Sequence, residues 1–172
     1  MKYKSVIALV VAAVVALVAV RPHRDDGLSG RVVDVADGDT LTILDASKTQ
    51  HRIRLEGIDA PEWQQAFGTQ ARKALAEKVR GKTVHVEYTE RDDYDRILGK
   101  VMLGDRWINR EMVAEGWAWR YRYSENASLA RAEADAKAAR RGLWQDKDPT
   151  PAPAHRRHAV MTSLTLTLKD RA

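Results

Sequence analysis

Three short segments hold the charged residues whose types and spacing suit chemistry. The first is Asp37-Gly38-Asp39-Thr40, the second is Arg54 followed by Asp59 and Glu62, and the third is Tyr94-Asp95-Arg96. Brought to one place, three or four carboxylates repel one another and any polyanion. They become stable around a hard divalent cation, and carboxylate plus carbonyl oxygens suit Ca2+ or Mg2+. Arginines beside such a cation suit a phosphate, through planar, permanently charged, often bidentate donors. A carboxylate outside the ligand set can take a proton from water. Cation, arginines and base together describe phosphodiester hydrolysis. Plainer readings stand beside this one: Arg54 and Arg96 as surface ion-pair partners of Asp59 and Asp95, and Asp37 as a turn-former rather than a ligand.

Other residue types narrow the chemistry. The chain has no cysteine, which excludes disulfides, iron–sulfur clusters and cysteine-type zinc sites. His51 and His85 fall on strands, where they are expected to face solvent without a partner, so a histidine-based site is not supported. Trp107, Trp117, Trp119 and Trp144 are expected to pack in the core or at its rim rather than to stack on bases.

The elements that must position the charged groups are short strands. Residues 31–36 and 40–44 read as a hairpin with Asp37-Gly38-Asp39 as its turn. Residues 50–56 read as a third strand, with Ile53 and Leu55 on one face and Arg52 and Arg54 on the other. Gly57 and Pro61 then break the strand, leaving Arg54 at its end and Asp59 and Glu62 on the loop beyond. Residues 69–79 have helical spacing and Gly81 as a stop. Residues 83–88 alternate as a fourth strand with Val84, Val86 and Tyr88 inward. A charged loop, 91–95, leads into a fifth strand at 97–103. Two helices follow, at 109–115 and 125–141, stopped by Gly116 and Gly142, after which Leu143 and Trp144 pack back. The order gives an α+β fold: a five-stranded Greek-key barrel of the OB type with three helices.

Three regions emerge. Residues 1–28 hold Lys2 and Lys4, an unbroken apolar run at 6–20 and a short linker. The run would span roughly 22 Å as a helix, short of a hydrocarbon core of about 30 Å. A basic start before a short apolar run is expected to be a signal peptide or an uncleaved signal anchor. The protein is then exported: secreted, periplasmic, or anchored in the cytoplasmic membrane with its domain outside. Residues 29–146 form the barrel domain. Residues 147–172 are Pro-rich and basic and are expected to be disordered. The net charge of +5 belongs to the two flanks, because residues 29–146 hold 20 Lys+Arg against 20 Asp+Glu. The high pI therefore does not argue that the domain binds nucleic acid; any polyanion site must come from local arrangement.

Asp-Gly-Asp-Thr, then Arg-Leu-Glu-Gly-Ile-Asp-Ala-Pro-Glu, then Tyr-Asp-Arg, then Asn109 and Gly116 follow one another in an order and spacing that resembles the staphylococcal nuclease (thermonuclease) family. The similarity covers about residues 30–144. The resemblance implies an OB-fold barrel with three helices and a monomer that performs Ca2+-dependent cleavage of DNA and RNA, single strands preferred, leaving 3′-phosphates because the 5′ P–O bond breaks. It also implies roles. Asp39 and Asp59 match the calcium carboxylates, and Ala60 the residue that binds calcium through its main-chain carbonyl. Arg54 and Arg96 match the phosphate-clamping arginines, and Glu62 the carboxylate that assists the attacking water. Tyr94 and Tyr121 (or Tyr123) are the candidates for contact with the nucleotide. Asp95 departs from the glycine usual before the second arginine. The alternative is a non-catalytic nucleic-acid-binding OB module.

Overall fold

The computed structural model describes residues 27–149, so the apolar run at 6–20 and the tail from 150 onward lie outside the described residues. Alternation along the chain builds the barrel wall. Strands β1 (Gly27–Val35), β2 (Thr40–Leu44) and β3 (Gln50–Leu55) form an antiparallel meander. The chain then makes the two-residue strand β4 (Ile58–Asp59) and helix α1 (Gly68–Val79). It returns as β5 (Thr83–Arg91) along the free edge of β1, followed by β6 (Ile97–Leu103) antiparallel to β5. Closure comes from β6 lying parallel to β3, with Ile53 opposite Ile97. The order β3-β2-β1-β5-β6 and back to β3 is that of an OB barrel.

Two short strands and two helices complete the domain: β7 (Arg106–Trp107), α2 (Ile108–Ala114), β8 (Trp119–Arg120) and α3 (Ala127–Ala138). A 3-10 turn at Gly142–Gln145 follows. The inward residues of the wall, among them Val32, Leu41, Ile43, Ile53 and Val101, are fully buried. Each helix adds its own apolar stripe, such as Leu75 and Val79 from α1 and Leu129 and Ala132 from α3.

The structure departs from several expectations, each for a local reason. Helix α3 is shorter than 125–141. The Asn126 side chain caps it by accepting the N–H groups of Ser128 and Leu129, and Arg140 ends it with a φ of 50°. Tyr88 is 38% exposed rather than inward, because the β5–β6 register slips between Tyr88 and Glu90. Both histidines have partners: His51 Nε2 lies 2.8 Å from Asp45 Oδ2, and His85 Nδ1 lies 3.1 Å from Ser29 Oγ. Leu143 packs inward as expected, while Trp144 lies under the Lys137 ammonium, 4.5 Å from its ring centroid. Gly38 serves packing rather than a left-handed turn. A Cβ there would lie 2.7 Å from the Cβ atoms of both Ala60 and Ala71.

One buried polar side chain fastens the barrel floor. Asn109 is fully buried at the start of α2. Its Oδ1 accepts the Val101 N–H at 2.9 Å, and its Nδ2 donates to the Glu56 and Gly99 carbonyls at 2.9 and 3.0 Å. It thereby ties α2 to β6 and to the end of β3, the strand that carries Arg54. Asn109→Ala leaves the Val101 N–H and the Glu56 carbonyl without this partner, at about 1–3 kcal/mol for each group left unsatisfied, while the Gly99 carbonyl keeps the Glu56 N–H at 2.9 Å. We expect a total loss of about 3 kcal/mol, read as a lower urea midpoint with an unchanged m-value.

Candidate active site

Register places the first three charged groups together. In the β2–β3 ladder Thr40 lies opposite Arg54, so Asp39 sits one residue beyond the arginine's partner. The Leu55 N–H donates to the Asp39 carbonyl at 2.8 Å and locks this corner. Asp59 is delivered by β4, which pairs with β8 so that Asp59 faces Trp119. Between β3 and β4 the chain turns at Gly57, whose φ of 74° is costly for residues with a Cβ. The Arg54 guanidinium then lies between the two carboxylates. Nη1 is 2.7 Å from Asp39 Oδ2, and Nη2 donates to Asp59 Oδ1. The Arg54 and Asp39 side chains keep only 12% and 10% of their surface in solvent.

The remaining valences of this cluster are unequal. Asp39 Oδ2 also accepts the Ala60 N–H at 2.9 Å, and Oδ1 accepts the Thr40 hydroxyl at 3.0 Å. Nη1 of Arg54 is buried and makes no hydrogen bond of acceptable angle among the described residues. Burial works against the Arg54 charge, but Asp39 and then Asp59 outweigh it and hold its pKa above the ordinary value.

Asp37 is committed to the turn: its Oδ1 accepts the Asp39 N–H at 3.0 Å. Burial, and then the Asp39 charge, push its pKa up from 3.8 to about 6. A carboxyl whose pKa is raised by folding binds its proton more tightly in the native state. Its stabilising contribution is present at low pH and is lost as pH rises from about 4 through 6. Asp37→Asn keeps the acceptor for Asp39 and removes the charge. In chelator, the variant is expected to be more stable than the parent by about 1–2 kcal/mol at pH 7.5 and equal to it near pH 4. Thermal melts at the two pH values check this.

Beyond Ala60 the chain folds into a compact turn that carries Glu62. The Glu62 N–H donates to Gln65 Oε1 at 2.8 Å, the Gln65 N–H returns to the Glu62 carbonyl at 2.8 Å, and the Gly68 N–H reaches the Gln65 carbonyl at 3.1 Å. Phe67 closes the turn with a φ of 66°. Gly68 admits the close approach: a Cβ there would lie 1.9 Å from the Glu62 carbonyl oxygen.

The third segment enters on β6. Arg96 precedes Ile97, the residue opposite Ile53, so it adjoins the β3 edge. Its guanidinium is held by Asp92 and not by Asp95. Nε and Nη2 lie 2.7 and 2.6 Å from Asp92 Oδ2, and the Arg96 N–H donates to Asp92 Oδ1. Burial opposes the Asp92 charge, but these bonds from Arg96 hold its carboxyl below the usual range. Asp95 takes a φ of 57°, the conformation a glycine takes freely, and Arg91 Nη1 bonds both its carbonyl and its carboxylate at 2.9 Å. Tyr94 is 55% exposed, with the Arg96 guanidinium 5.5 Å from its ring centroid. The Tyr121 N–H donates to the Gly57 carbonyl, and its ring meets that of Tyr123 edge-on at 5.4 Å. Its main chain is thereby joined to the turn that leads into β4.

This arrangement corrects the picture of a crowded acidic rim. Among the described residues, no group of three or more Asp, Glu or His side chains is placed to hold a metal. The set is two carboxylates, Asp39 and Asp59, converging on one buried cation that the chain itself supplies. Two such carboxylates with a nearby main-chain carbonyl fit a hard cation as donor chemistry.

The profile of the family described as staphylococcal nuclease homologue matches residues 52–146. The chain belongs to the staphylococcal nuclease family. It is 47% identical over 90 residues to an "Uncharacterized endonuclease" of Escherichia coli, covering 52% of this chain and 58% of that protein. It is 41% identical over 118 residues to the "Micrococcal nuclease" of Shigella flexneri, covering 63% and 66%. It is also 41% identical over 114 residues to "Protein ParB" of Escherichia coli, covering 66% and 61%. The chain thus spans 58% to 66% of the length of these relatives. In this member of the staphylococcal nuclease family, three residues close in sequence to the predicted ones were left out of the reading: Asp92, Gln65 and Trp63. Asp92 was legible as a carboxylate four residues before Arg96. Gln65 and Trp63 carried no signal beyond their nearness to Glu62.

Proposed function

We propose that the domain is a nuclease that hydrolyses phosphodiester bonds of DNA and RNA with Ca2+ as its cation, leaving 3′-phosphate ends. The observation that carries this reading is the single guanidinium of Arg54 held between Asp39 and Asp59 at a locked strand corner. Family membership supports it. Asp39, Asp59 and the Ala60 carbonyl would hold the cation, which when bound neutralises charge on the phosphoryl oxygens. Arg54 then has a phosphate to pair with. Arg96, oriented by Asp92, is the second phosphate clamp. Glu62 takes a proton from the attacking water, and the Gln65 turn fixes its main chain for that task. The assay that tests this is cleavage of single-stranded DNA by the full chain with Ca2+ and with chelator.

A second reading, a binding module without catalysis, is favoured by one observation, the balance of 20 basic and 20 acidic residues across 29–146. Calorimetry separates the two: nucleic-acid affinity without any cation binding would select the module. We further propose that the protein is a monomer, and that it is exported on the strength of the apolar run at 6–20 behind Lys2 and Lys4. Among the described residues no helix is long and apolar enough to cross a membrane.

A further inference from the structure

We propose that Trp63 is a stacking platform for an unpaired base of the substrate strand, next to the phosphate that is cut, and that it sets a preference for single strands. The inference rests on the nuclease reading and names the part of the substrate that the charged cluster does not touch.

Residues 29–146 are electrically neutral, so no general field draws a polyanion to the domain. Two arginine clamps would contribute a salt slope of only about 1.4 on a single strand. Stacking of a base on an aromatic side chain contributes about 1–3 kcal/mol and tolerates any sequence, because every base has a π-face. A neutral domain that holds nucleic acid needs such a surface beside its cutting site.

Trp63 supplies it. The side chain is 67% exposed, the largest apolar group left in water among the described residues. That exposure is not the product of a loose end. Gln65 ties the turn on both sides, and a Cβ on Gly68 would come within 2.9 Å of the Trp63 Cα. The backbone is fixed and still leaves the indole outside. Trp63 follows Glu62 directly in this turn, so the two side chains leave the same short stretch of main chain.

Several other aromatics are engaged. Trp119 is 6% exposed and gives its Nε1 to the Pro149 carbonyl. Tyr94 carries the Arg96 guanidinium and Tyr123 carries that of Arg122, at 5.5 and 4.6 Å from the ring centroids. No ring or cation among the described residues contacts the Trp63 indole. In a duplex the bases already stack on one another, so the platform favours only bases that are unpaired.

The test uses the full chain, a short single-stranded oligodeoxynucleotide, and its duplex form. For Trp63→Ala, KM on the single strand is expected to rise about tenfold with kcat within about twofold, while the duplex changes less than about twofold. Trp63→Phe recovers most of the loss, because a ring remains. An oligonucleotide with an abasic nucleotide beside the cut makes the parent behave like Trp63→Ala. An unchanged KM, an equal loss on the duplex, or equal values for the alanine and phenylalanine variants would overturn the inference. If the parent cleaves neither substrate, the nuclease reading fails, and tryptophan fluorescence decides the inference alone. Quenching by the single strand that disappears in Trp63→Phe supports it, and quenching that persists unchanged overturns it.

Discussion

Arg54→Met is expected to lower kcat by about 10³-fold and to destabilise the cation-free protein by about 3–5 kcal/mol. The two effects have one origin. Arg54 is the counter-charge for Asp39 and Asp59 when nothing else is bound, and the group proposed to clamp phosphate when substrate is present. Asp39 keeps 10% of its side-chain surface in solvent, so water cannot replace the lost guanidinium. Methionine fills similar space without charge, which leaves two carboxylates facing each other. Added Ca2+ is therefore expected to restore more stability to the variant than it adds to the parent. Thermal melts of both proteins with Ca2+ and with chelator check this. Equal shifts in the two proteins would show that Arg54 does not neutralise the carboxylates proposed to bind the cation. Arg54→Lys should behave like the methionine variant in kcat, because one ammonium cannot reach both carboxylates in the fork geometry.

Glu62→Gln is expected to lower kcat by about 10²-fold or more with KM nearly unchanged. Glutamine is close to isosteric with glutamate, and Glu62 is placed by its main-chain N–H and carbonyl, which the substitution leaves to Gln65. The loss is then one of basicity rather than of position. A rate like that of the parent would remove Glu62 from the base role and leave proton transfer to bulk water.

The barrel was legible because its signals are local. Alternating apolar residues at Val84 and Val86, the Asp37-Gly38-Asp39 corner and the break at Gly57 each act within a few residues, and each marks the element found. The pairing of Arg54 with Asp39 was harder, because it depends on a ladder register that sets Thr40 opposite Arg54. Sequence suggested Asp59 alone as the partner; the fold adds Asp39. The Arg96 partner was misplaced for a related reason. Asp95 is adjacent in sequence, but its left-handed backbone turns its carboxylate to Arg91, and Asp92 closes back on Arg96. Strand β4 was invisible because two residues cannot show a period; only its pairing with Trp119 and Arg120 defines it. Trp63 was passed over because an exposed tryptophan has no pattern to betray it.

The central claim is that Asp39 and Asp59 form a cation site whose occupation turns the Arg54 cluster into a phosphodiester-cleaving centre. The most direct measurement is cleavage of single-stranded DNA by the purified full chain with Ca2+, with excess chelator, and after Ca2+ is restored. The predicted result is cleavage that leaves 3′-phosphate ends, falls to background in chelator and returns with the cation. Cleavage that proceeds equally well in chelator would contradict the account.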